Sequence, residues 1–179
     1  MNTNEVFEDL LKLPTPKIIL SGKVDREMRN RVFRSLTFLT TKGSPDVEII
    51  IESSGGEVSH GLDIYDALRL YQGKKKGIVI SEAGSMAAII LQACDTRQCA
   101  SHAYILVHNG DCRIKFDVLF DDAALAAFKK EKQETLSLLH TILSTKTGKE
   151  DREVVEMCKP DKWITAQKAL ELGLIDEIV

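Results

Sequence analysis

The chain has 179 residues, of which 44% are hydrophobic and 28% charged, and a formal net charge of −3 at pH 7. That length suits one domain with its own core, and the charge gives no general attraction to nucleic acid or to an anionic membrane. The apolar runs are too short to span a bilayer, and Glu5, Glu8 and Asp9 do not suit a signal peptide, so a cytoplasmic location is expected.

Val6, Leu10 and Leu13 share a face over residues 5–13 and predict a short helix, which Pro14 and Pro16 end. Residues 17–20 suit a strand. Met28, Val32, Leu36 and Leu39 recur at helical spacing over residues 25–40. Lys42, Gly43, Ser44 and Pro45 form a loop before a second strand at 47–51, apolar enough to be covered on both faces. Gly55-Gly56 is expected to break that strand. A helix follows over 59–71, then a third strand at 77–81, with Lys74, Lys75 and Lys76 as a solvated basic turn before it.

The run Glu82-Ala83-Gly84-Ser85-Met86-Ala87-Ala88 then leads from an apolar strand into an apolar helix over 85–93. A small-residue turn there lifts a hydroxyl off the strand end, beside the free N–H groups and positive dipole end of a helix. A fourth strand at 103–107 ends at His108. A long helix is expected over 121–147, and a last one over 166–172, stopped by Gly173. Strands alternating with helices imply an α/β core with a mostly parallel sheet.

Cys94, Cys99, Cys112 and Cys158 have neither C-x-x-C spacing nor a zinc-finger His partner, so reduced thiols and no metal site are expected. His60, His102 and His140 lack partners in the pattern, and Trp163 reads as core. Ser85, His108 and Asp161 remain. Alone, His108 reads as a packed or surface residue and Asp161 as a turn aspartate. Together they supply the alcohol, base and orienting acid of nucleophilic acyl transfer, and Gly55-Gly56 allows bare backbone to approach a ligand.

The run Glu52-Ser53-Ser54-Gly55-Gly56-Glu57-Val58 resembles the proteolytic subunit of the Clp protease. So do Gly61-Leu62-Asp63-Ile64-Tyr65-Asp66, Gly84-Ser85-Met86, Ile105-Leu106-Val107-His108 and Asp161-Lys162-Trp163-Ile164-Thr165-Ala166. The motifs stand in family order from residue 17 to the end. The resemblance implies a crotonase-like α/β fold of repeated β-β-α units with a protruding handle helix. It implies one domain over 1–179, with a short helical segment at 1–16 and a handle-like strand and helix at 111–147. It implies a serine endopeptidase acting on polypeptide substrates, with Ser85 as nucleophile, His108 as general base and Asp161 as third triad member. The backbone N–H groups of Gly56 and Met86 match the oxyanion-hole positions. No cofactor is implied.

The resemblance also implies a homo-oligomeric ring, stacked rings around a chamber, and a Clp-type ATPase partner. Three departures bear on these. The family's pore-lining N-terminal segment is not recognisable ahead of Glu5, which leaves ATPase docking open. Ser54 stands where the family has proline before the glycine pair. Asn109-Gly110-Asp111-Cys112-Arg113-Ile114-Lys115-Phe116, poor in glycine, stands where the family has a glycine-rich strand after His108. The member implied is short and divergent, of a kind that also occurs in phages and prophages. Two other readings stay open: a non-catalytic ring partner, and an acyl-CoA enzyme of the same superfold.

Overall fold

Three long strands, each followed by a helix, build the centre of the computed structural model, which describes residues 9–110, 114–159 and 161–179. Strand β1 (Lys17–Val24) leads to α1 (Arg26–Thr41), β2 (Val47–Gly56) to α2 (Val58–Leu70), and β3 (Lys75–Gly84) to α3 (Met86–Leu91). Short strands β4 (Thr96–Cys99) and β5 (Tyr104–Leu106) follow, then a 3-10 turn at Phe116–Phe120 and the long helix α4 (Asp122–Thr147). The chain finishes with α5 (Asp151–Cys158), β6 (Ile164–Thr165), α6 (Ala166–Glu171) and β7 (Glu177–Ile178).

The main sheet runs β1-β2-β3-β4-β7, with every pair parallel. Each long strand has two halves. The β1–β2 register slips between Ser21 and Lys23, and the β2–β3 register slips between Ile51 and Ser53. Strand β3 changes partner along its length, from β4 at Lys76–Val79 to β5 at Glu82–Gly84. Two half-strands and a helix, repeated, give the expected β-β-α units of an α/β fold.

Parallel strands need both faces covered. Ile49 and Ile51 on β2 and Val79 on β3 are fully buried. Helix α1 covers part of the sheet with Met28, Val32, Leu36 and Leu39, and Asp25 caps it by accepting from the Met28 N–H at 2.9 Å. Helix α3 is buried along its whole length. Each fully buried Ile or Leu there contributes about 2 kcal/mol.

Several expected boundaries move. Strand β2 does not break at the glycine pair; it continues to Gly56, which pairs with Val24. The basic turn is not solvated at its centre. Lys75 is 7% exposed, and its Nζ donates to the carbonyls of Tyr71 and Gly73 at 3.2 and 3.0 Å and pairs with Asp95 at 3.0 Å. Of the N-terminal helix expected over 5–13, residues 5–8 lie outside the described residues, and the helix has ended by Leu11. The long helix expected over 121–147 is α4, capped by Asp121, which accepts from the Ala124 N–H at 3.0 Å, and ended by Gly148 in the left-handed region. Residues 111–113 of the expected handle strand lie outside the described residues. The segment after them coils into the 3-10 turn at Phe116 rather than extending.

Candidate active site

Ser85 joins β3 to α3 with φ 51° and ψ −120°, a backbone conformation that costs a non-glycine residue energy. Its N–H donates to the Leu106 carbonyl at 2.8 Å, continuing the β3–β5 pairing by one residue. Serine often caps a helix through its hydroxyl, but Ser85 makes no such bond. Its Oγ instead lies 2.9 Å from His108 Nε2.

His108 follows β5, behind buried Leu106 and Val107, and its side chain is 16% exposed. Its Nδ1 lies 3.1 Å from Asp161 Oδ1. The topology explains this contact. Strands β5 and β6 are antiparallel, with Ile105 opposite Ile164. Continuing that register three residues puts position 161 opposite position 108. The Asp161 side chain is 70% exposed, so water screens its charge and its main physical effect is to orient the imidazole.

The end of β2 lies against the serine turn. Gly55 has φ +100°, and a Cβ there would sit 2.6 Å from the Gly84 carbonyl oxygen and 2.7 Å from Ser85 Cβ. Only glycine permits that approach. Buried Ser53 fixes the segment: its Oγ donates to the Gly22 carbonyl at 2.5 Å and accepts from the Gly55 N–H at 3.1 Å. The Glu57 N–H donates to Val24 on β1 at 2.8 Å. By strand alternation the preceding N–H, that of Gly56, faces away from β1. The Met86 N–H opens α3 and has no carbonyl one turn behind it in the helix.

A cavity beside Ser85 and His108 is walled by Met86 and Ile89 on one side and by Leu136, Leu139 and Leu143 of α4 on the other. His140 also lines it, and its Nε2 lies 3.0 Å from Asn109 Oδ1. Burial lowers the His140 pKa, with Asp151 acting the other way. The expectation that His140 lacks a partner is therefore corrected: it ties the long helix to the loop after His108. Its spacing from Leu136 and Leu143 is the signal that would have found it. Trp163 is corrected as well. It is 36% exposed and lies across Gly84, where its Cη2 would be 2.6 Å from an added Cβ.

Among the described residues the free thiols are poor nucleophiles. Burial pushes Cys94 up to about 12, and Cys99 and Cys158 up to about 11. Cys112 lies outside the described residues. Among the described residues no group of three or more His, Cys, Asp or Glu could hold a metal ion, and no helix is long and apolar enough to cross a membrane.

The family model for Clp protease matches residues 2–179. The chain belongs to the Clp protease family. The match covers every element described above, so the mostly parallel sheet and its helices are those of a Clp-protease-like peptidase. Members of this family typically form rings.

Proposed function

We propose that the chain is a serine endopeptidase that hydrolyses polypeptides inside a ring of its own copies. The observation that carries this reading is the continuous chain of contacts from Ser85 Oγ to His108 Nε2 at 2.9 Å and from His108 Nδ1 to Asp161 at 3.1 Å. His108 takes the Ser85 proton as Oγ attacks the scissile carbonyl. Asp161 holds the imidazole in the tautomer whose Nε2 is free to accept. The N–H groups of Gly56 and Met86 stabilise the tetrahedral oxyanion, a pair in which each donor is worth about 10²–10³ in rate. Protonated His108 then gives its proton to the leaving amine, and water repeats the sequence on the acyl-enzyme.

Exposed Phe116, Leu119 and Phe120 at the base of α4, and Leu138 along it, support the oligomer reading, because such apolar surface is commonly covered by a partner copy. A Clp-type ATPase would feed such a chamber, and the cytoplasm is where both would work. The openness of Asp161 favours a second reading, a non-catalytic ring partner. The experiment that separates them is hydrolysis of unfolded casein and of short peptide coumarins by the wild type and by Ser85→Ala. Turnover in the wild type and none in the variant supports the peptidase. Equal turnover by both removes Ser85 from the chemistry, and no turnover in any assembly state supports the partner.

A further inference from the structure

One wall of the cavity beside Ser85 is a single face of α4. Lys132, Thr135, Leu136, Leu139, His140 and Leu143 line it at three- and four-residue spacing. The cavity is narrow, about 40 Å³, against roughly 300–1,000 Å³ for a site that encloses a whole small ligand. It is a slot for one side chain. Leu143 is 2% exposed and closes the inner end. Lys132 stands about three turns away, ~16 Å along the helix axis, at the outer end.

Lys132 is half-buried. Its neighbour Lys130 pairs with Glu134 at 3.9 Å, but among the described residues Lys132 has no ion-pair or hydrogen-bond partner. Among the described residues no Asp or Glu lines the slot. A partly buried ammonium with no carboxylate beside it among the described residues is suited to an anionic ligand. A carboxylate entering the slot would supply that partner, and the leucines beside it suit methylene groups.

Resting on the peptidase reading above, we propose that Lys132 is a specificity-determining residue that selects substrates with glutamate at P1, the residue whose carbonyl Ser85 attacks. The glutamate methylenes lie against Leu136 and Leu139, and the carboxylate pairs with the Lys132 ammonium. Glutamine matches the shape without the charge. Lysine brings like charges together.

The test uses the full chain and peptide coumarins that differ only at P1, as Glu, Gln, Leu or Lys. The wild type should favour Glu over Gln in kcat/KM by about tenfold, the scale of a charge-assisted hydrogen bond. Lys132→Met should bring that ratio close to one, and Lys132→Glu should move the preference to Lys. The wild-type ratio alone decides the case if a variant fails to fold. A wild-type Glu to Gln ratio near one overturns the proposal, as does a ratio that Lys132→Met leaves unchanged. Fluorophosphonate labelling of Ser85 runs in parallel. Labelling together with an indifferent P1 ratio sinks the Lys132 assignment alone, whereas no labelling in the wild type sinks the peptidase reading with it.

Discussion

Replacing Gly55 by alanine should damage the fold and the serine turn together. The added Cβ would lie 2.6 Å from the Gly84 carbonyl oxygen, 2.7 Å from Ser85 Cβ and 3.0 Å from the Met86 nitrogen. All three belong to the backbone or to the first side-chain atom, so no rotamer change relieves the clash. The conformation at φ +100° costs alanine about 1–2 kcal/mol. Overpacking against fixed atoms adds about 1–3 kcal/mol. A total of about 2–5 kcal/mol is a large part of the 5–15 kcal/mol that ordinarily holds a domain folded. Gly148→Ala is the comparator, because Gly148 also has positive φ, +69°, but has open space where its Cβ would go. That variant should lose only about 1 kcal/mol. Thermal unfolding at one protein concentration, followed through the single tryptophan, Trp163, measures both. Loss of less than 1 kcal/mol in Gly55→Ala, or equal losses in the two variants, would refute the reasoning.

Asp161→Asn should lower kcat by between about 10² and 10⁴, because the amide favours the wrong His108 tautomer, while labelling stoichiometry at long times stays near one; an unchanged kcat removes Asp161 from the relay. Alkylation of the native protein with iodoacetamide at pH 8, read by peptide mass, should leave Cys94, Cys99 and Cys158 unmodified, because burial holds their pKa near 11 to 12; rapid modification of any of them contradicts its buried setting. Arg97 is buried and donates to Asp176 through Nε and Nη2, to Gln92 Oε1 at 2.6 Å and to the Gly173 carbonyl at 2.9 Å. Asp176→Ala should cost about 3 kcal/mol, the low end for breaking a buried pair, because the Asp176 side chain is 41% exposed. Burial raises the Asp176 pKa, but the hydrogen bonds and charge of Arg97 outweigh it and hold the carboxylate below its usual range. Its stabilisation is therefore present above the unfolded carboxylate pKa, near 4, and is lost as pH falls through the lower folded value. Denaturation curves should show the wild type losing more stability than Asp176→Ala below pH 4; parallel curves would contradict the pairing.

The long strands and helices were readable because their apolar periods are strong. Met28, Val32, Leu36 and Leu39 mark α1 by spacing alone, and all four are buried. Strand β4 was not, since Thr96–Cys99 is four residues with two side chains out. Helix α5 buries only Val154 and Cys158, too few to set a period, although Glu150 and Glu153 form a capping box that the sequence carries openly. Lys75 looked solvated because charge alone cannot report the carbonyls that receive it. Ser85, His108 and Asp161 could be chosen from residue type and motif, but their meeting depends on the β3–β5 and β5–β6 pairings between segments far apart in sequence. His140 and Lys132 are not legible in the sequence because the stripe on α4 shows itself through its leucines, and a polar residue on an apolar face shows its use only when the facing wall is known.

The most direct measurement is to react the wild-type protein with a fluorophosphonate and map the modified residue by mass spectrometry, with His108→Ala alongside. A hydroxyl activated by its neighbouring imidazole predicts one adduct per chain, on Ser85, formed far more slowly in the variant. An adduct elsewhere, none in any assembly state, or equal rates in the two proteins would contradict the account.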